Sequence, residues 1–259
     1  MPASTAKLPT GYPYCLQALT SLGDLPVWSL IVTVFGDLAQ NHGDRISGPL
    51  LSAILDPIGV KPEASRVATH RLRKEGWIRS EKSGRNRLHH LTDFGRAQSA
   101  EASPRIYDTP EFDDTWHVVV TPPGTRANAD QIAVMPRVML GNGPWPDEAN
   151  ALVLEGRVSN VPAWVTTQIE TRWLSAKYAL LETVLNQVWA SLPPDLTPVE
   201  TAVLRTLIVH HWRRLVLRHP PLPDNFFSDT WRGVACRNAA FRLLDALPRP
   251  SLSVLEQDI

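Results

Sequence analysis

Between Leu25 and Thr92 the chain carries three helical patterns end to end, then two short strands about a glycine turn. LPVWSLIVTVFGDLA, residues 25–39, is an apolar run too long for one strand and fits a buried helix. In DRISGPLLSAILDPIG, Leu50, Leu51, Ile54 and Leu55 form a helical stripe that Asp56-Pro57 and Gly59 close. KPEASRVATHRLRKEG has Pro62 at a helix start and Gly76 just past its end. WIRSEKSGRNRLHHLT reads as two strands around Ser83-Gly84-Arg85-Asn86, and Thr92 suits the N-cap of a further helix, DFGRAQSAEAS. Helix, helix, helix, hairpin is the order of a winged helix-turn-helix, expected here over residues 25–102.

Charge supports a nucleic-acid partner for that segment. The chain is neutral overall, but residues 61–90 hold nine Lys and Arg against three Glu. Residues 91–199 reverse the balance, with seven against thirteen acids, and residues 200–249 hold eight Arg against four acids. A helix that enters a major groove needs one apolar face for its own domain and one polar face for bases and phosphates. At 100° per residue, Ala64, Val67, Ala68 and Leu72 fall on one side of the third helix. Arg66, Thr69, His70 and Arg73 fall on the other, within about 100°. These four are the expected base- and phosphate-reading residues, and Lys82, Arg85 and Arg87 of the wing are expected to touch backbone. Arg71 has the phase of the apolar positions, so it is expected to be structural, paired with an acid such as Asp37. A solvated basic face without a partner is the plain alternative; helix order, polar arc and basic wing together favour double-stranded DNA.

The remaining chain divides by composition. Residues 1–24 are expected to be an N-terminal arm, and 103–111 a linker carrying Pro104 and Pro110. TWHVVVTPP and ALVLEGRV read as strands, with a helical stretch near 128–140 between them, so 112–168 reads as a small α+β unit. From residue 169 the chain is helical: Leu174, Tyr178, Leu181, Leu185 and Val188 recur at helical spacing, as do Leu204, Leu207, Ile208, His211 and Leu215, and a last helix runs from Trp231 to Leu247. The fold class expected is therefore α+β and multidomain. No run approaches the ~20 apolar residues of a membrane span, and MPASTAKLPTGYPYC lacks a signal-peptide core, so a cytoplasmic protein without membrane contact is expected. Two distant cysteines, Cys15 and Cys236, fit free thiols in a reducing compartment.

Catalytic and metal chemistry find no support. His89-His90 on a strand point to opposite faces, and His210-His211 on a helix diverge by about 100°, so neither pair chelates. GNGPW lacks the strand–glycine–helix context of a phosphate loop. No nucleophile–base pair stands out, so neither enzyme activity nor a cofactor is expected.

Several of these pieces together resemble one family. SLIVTVFGD (29–37), SRVATHRLRKEGWI (65–78), SGRNRLHHLTDFG (83–95), WHVVVTPP (116–123), WRRLVLRHPPLP (212–223) and WRGVA (231–235) stand in the order found in the PaaX family, repressors of phenylacetic-acid catabolism operons. His89 departs from the aromatic residue that family usually carries in the second wing strand. The resemblance implies a winged helix, then a ferredoxin-like middle domain at 112–168, then a helical effector and dimerisation domain at 169–259. It also implies a homodimer on operator DNA, released by an aryl-CoA thioester. An anionic acyl-CoA effector suits six of the eight arginines of 200–249, Arg205, Arg213, Arg214, Arg218, Arg232 and Arg237, since guanidinium binds phosphate well. The effector-binding candidates are Arg213, Arg214, Arg218 and Trp231. Two other readings stay open: a winged-helix module that binds protein, and an enzyme acting on a CoA ester.

Overall fold

The computed structural model describes residues 10–84, 86–124, 131–143, 150–219 and 221–259. It is an α+β protein with two small antiparallel sheets. The chain forms two compact units. The first takes in the chain up to Ser103 together with Leu180–Trp212 and Ala235–Ile259; the second takes in Pro104–Ala179 and Arg213–Val234.

The first unit opens with α1 (Tyr12–Thr20) and α2 (Val27–Leu38). The short strand β1 (Ile46–Ser47) runs directly into α3 (Gly48–Leu55), and α4 (Pro62–Lys74) follows. The hairpin β2 (Ile78–Ser83) and β3 (Asn86–Leu91) comes next, then α5 (Asp93–Tyr107). The sheet order is β1-β3-β2, all antiparallel, with Ile46 and Ser80 flanking His89 from either side. Helix α2 is apolar nearly all round because it is covered nearly all round: Leu30, Ile31, Val34 and Phe35 are wholly buried. It packs on α4, while α3 packs on β1, β3 and α4. Ser47 caps α3 by accepting the amide N–H of Leu50 at 3.1 Å.

Part of the expected arm is instead a docked helix. In α1, Cys15 and Leu19 are wholly buried, and the amide of Gly11 donates to the Ser191 carbonyl at 3.0 Å. The other parts of this unit come from the end of α7 (Arg172–Ser191), most of α8 (Pro198–Val216) and of α9 (Gly233–Ala246), and α10 (Leu252–Gln257). Leu204, Leu207 and Ile208 of α8 are buried as their spacing predicts, but the fully buried histidine is His210, whose Nδ1 lies 3.3 Å from Thr33 Oγ1. His211 is only half-covered and its Nε2 lies 2.9 Å from the Leu19 carbonyl.

Arg71 does not meet Asp37. Its Nε donates to Glu75 Oε1 at 2.7 Å, its guanidinium lies 5.5 Å over the Trp28 ring, and more than half of its side chain is exposed. Asp37, buried in α2, is held by Arg205 in a bidentate pair, Nε to Oδ2 and Nη2 to Oδ1, both 2.9 Å. Arg249 adds a bond at 3.4 Å, and Arg205 Nη1 donates to the carbonyls of Leu244 and Leu247. A buried carboxylate demands such compensation, and the supply came from the far end of the sequence. In the same unit, Glu256 of α10 accepts the backbone amide and hydroxyl of Ser47 at 3.1 and 2.9 Å.

The expected linker is partly helical: α5 continues through Pro104 to Tyr107. Proline there forfeits one helical bond without ending the helix.

The second unit is built on β4 (Trp116–Val120), β5 (Gln131–Met135), β6 (Val138–Asn142) and β7 (Leu152–Gly156), with α6 (Ala163–Ile169) and the start of α7. The sheet order is β5-β6-β4-β7, antiparallel throughout. Where a helix near 128–140 was expected, residues 131–142 form a hairpin; 125–130 lie outside the described residues. Pro136 disfavours a helix interior, and Arg137 takes a left-handed φ of 70° to close the turn, its Nε donating to the Thr121 carbonyl at 2.7 Å. Ile132, Leu140 and Trp116 meet Val165 and Ile169 of α6 and Phe226, whose ring stacks on Trp116 at 4.8 Å.

Candidate nucleic-acid interface

Helix α4 ends in a Schellman turn. Gly76 has φ +78°, its amide reaches the Arg73 carbonyl, and Trp77 N–H reaches that of Leu72. That turn aims the chain straight into β2. A second close approach follows: the first turn of α5 is capped by Thr92 Oγ1, and a Cβ on Gly95 would lie 2.3 Å from the Trp77 carbonyl oxygen. The two glycines thus hold the end of α4, the start of the hairpin and the first turn of α5 together.

The pleat of the hairpin sorts its side chains. Ile78, Ser80 and Lys82 pair across with Leu91, His89 and Arg87, so these six share one face. Along that face Ile78 and Leu91 are core, Ser80 and His89 are mostly covered, and Lys82 and Arg87 are exposed. Between this face and α4 lies an open concavity of about 350 Å³, lined by Arg66, Thr69, His70, Arg73, Arg87, Ser80 and His89 and floored by the start of α3. Five of the seven predicted DNA-binding residues therefore meet at one cleft. Lys82 stands opposite Arg87 on the exposed hairpin, and Arg85 lies outside the described residues.

His89 is held within this basic setting. Its Nδ1 lies 2.7 Å from Ser80 Oγ. Burial first, then the charges of Arg73 and Arg87, push its pKa below the usual histidine value. His90, on the opposite face, lies 3.7 Å from Glu81.

Arg66 is exposed and held by its own helix: Nη2 donates to Glu63 Oε1 at 2.8 Å and Nε to the Pro62 carbonyl at 3.3 Å. An exposed pair of this kind is worth about 0–1 kcal/mol, so the guanidinium is readily released to a ligand. Helical phasing misassigned one flank. The covered stripe is Ala68 and Leu72, with Ser65 and Thr69 partly covered; Ala64 and Val67 face outward. With Arg71 exposed and Lys74 exposed, the outward surface of α4 has two more cations than the sequence reading assigned to it. The covering neighbours are narrower than the apolar arc, and no wheel contains that information.

The effector candidates belong to the second unit. Arg213 is largely buried, which lowers its pKa to about 10, with a further push from Arg214. Arg218 lies 5.0 Å over the Trp173 ring. Trp231 stacks on Phe227 at 4.3 Å and stands edge-on to Tyr178 at 4.7 Å, while Tyr178 Oη and His219 Nε2 are 2.7 Å apart. Arg205, of the wider arginine set, is the structural partner of Asp37. Among the described residues no three His, Cys, Asp or Glu side chains gather as a metal site, and no helix is long and apolar enough to cross a membrane.

Two family models match the chain: one described as PaaX-like protein over residues 27–95, one as PaaX-like protein C-terminal domain over 170–257. The chain belongs to the PaaX-like family. The first PaaX-like match begins at α2 and ends in the first turn of α5, so it takes in the whole of the cleft; the second runs from α7 to α10. Among curated relatives, the transcriptional repressor PaaX of Escherichia coli (strain K12) is 23% identical over 284 residues, covering 97% of this chain and 89% of that protein. Among solved structures, the uncharacterized protein Rv0674 from Mycobacterium tuberculosis aligns with a TM-score of 0.54 at 18% identity, over 91% of this chain and 99% of that one, and so shares the fold.

Proposed function

We propose that this chain is a DNA-binding transcriptional regulator, a repressor of an aromatic-acid, phenylacetate-type catabolic operon in the cytoplasm. The observation that carries the reading is the cleft where Arg66, Thr69, His70 and Arg73 of α4 face Arg87 of the hairpin. In this reading residues 25–102 are a winged helix: α4 enters the major groove and the hairpin lies along the backbone. The order β1-β3-β2 behind α2, α3 and α4 supports it. Residues 112–168 are read as a ferredoxin-like domain, supported by a strand order of second-third-first-fourth within the sheet. Residues 169–259 bind the effector and a second copy of the chain, with Arg213, Arg214, Arg218 and Trp231 on the effector side. An aryl-CoA thioester fits the cationic and aromatic character of those four residues. A homodimer through 169–259 is favoured by Leu180 and Trp189 of α7, large apolar side chains left exposed.

An acyl-CoA releases DNA only to the extent that it binds the DNA-free state more tightly. The test is a salt-titrated gel shift of the full chain on the DNA upstream of its own gene, repeated with a panel of acyl-CoAs. The expected result is a specific shift, weakened by salt and reversed by an aryl-CoA. A chain that binds that DNA no better than unrelated duplex at any salt overturns the regulator reading; specific binding untouched by every CoA ester overturns the effector alone.

A further inference from the structure

Val67 is the most exposed large apolar side chain among the described residues, at 70%. It stands on the outward side of α4, one turn from His70 and away from the stripe of Ala68 and Leu72. One turn back is Glu63, which holds Arg66 at 2.8 Å; one turn on is Arg71, steadied by Glu75 and Trp28. A β-branched residue in a helix has nearly one χ1 rotamer, so its two methyls project in a fixed direction. An apolar knob framed by Arg66, Arg71 and Lys74 is poorly matched to an apolar protein socket, which would have to desolvate those cations. It is well matched to a polyanion that carries an apolar feature of its own. In the major groove that feature is the 5-methyl of thymine.

We propose that Val67 reads the methyl group of a thymine in the operator, adding a sequence-specifying apolar contact to the hydrogen-bonding Arg66 and His70. The proposal rests on the DNA-binding reading above and goes further, since it makes a non-polar residue part of the base code. Arg71, tied to Glu75 on its own helix, then flanks the Val67 contact, and its charge meets a neighbouring phosphate.

The experiment selects duplexes from a random library with the full-length wild type, Val67→Ala and Val67→Thr. Wild type should fix a thymine at one position of each half-site, and Val67→Ala should relax that position alone. Val67→Thr retains one methyl and should fall between them. Replacing that thymine by deoxyuridine removes only the methyl, and should weaken wild-type binding roughly three- to tenfold while leaving Val67→Ala unchanged. The salt slope of all three proteins should be the same, since no charge is altered. A wild type indifferent to deoxyuridine at every thymine, or an alanine variant with unchanged base preferences, overturns the assignment while DNA binding stands. A wild type that enriches no duplex overturns the parent reading as well. Val67 is exposed, so the variants should keep the wild-type circular dichroism and unfolding midpoint.

Discussion

Arg73 and Arg87 approach one cleft from a helix and from a strand, and the proposed DNA-binding reading gives them different tasks. A helix residue near base edges specifies sequence, whereas a hairpin residue beside the backbone positions the protein. Arg66→Ala and Arg73→Ala should each weaken operator binding by roughly 1–3 kcal/mol and broaden base preference, which a footprinting titration measures. Arg87→Ala should weaken all duplexes alike and reduce the slope of log K against log salt by about one. His89 makes a further prediction. Its folded pKa lies below the free value of 6.5, because burial and Arg73 oppose its charge. Below pH 6.5 the unfolded chain therefore takes up a proton that the folded chain refuses, and stability should fall as pH drops towards the folded pKa. His89→Phe, which cannot titrate, should lose less stability than wild type between pH 7.5 and 5.5 in urea unfolding. Residue placement was legible where charge itself marked it, as at the cleft shared by Arg66, His70, Arg73 and Arg87. Val67 and Arg71 were misread because a helical phase gives an angle but says nothing of how wide the covering surface is.

At the scale of elements, the N-terminal helices, the wing hairpin and the C-terminal helices were legible because each has a periodicity or a capping residue of its own. Ser47, Thr92 and Gly76 act as turn chemistry predicts. The hairpin of β5 and β6 was not legible as such. Its residues are equally apolar under either period, and only Pro136 argued against a helix. The joint between α4 and α5 is the element most open to test. Gly95→Ala would drive a methyl into the Trp77 carbonyl, and relaxing that clash must displace the hairpin or the start of α5. The expected cost is about 1–3 kcal/mol in unfolding free energy, with loss of DNA affinity exceeding the loss of folded protein. An alanine variant that unfolds and binds as wild type would show that the joint yields freely.

At the scale of the whole chain, no local pattern leads from Asp37 to Arg205, because the two are 168 residues apart. Removing the carboxylate leaves a buried guanidinium without its counter-charge. Asp37→Ala should cost about 3–5 kcal/mol, read as a lowered urea midpoint of the first unit. The same distance sets a sequence of events during synthesis. When α2 leaves the ribosome, Asp37 lacks Arg205 and Arg249, and Ser47 lacks Glu256, since all three are still to be made. At typical elongation rates the delay is on the order of ten seconds. Helices α2 and α3, which pack on α4, are therefore translated early but gain these clasps only near the end of synthesis.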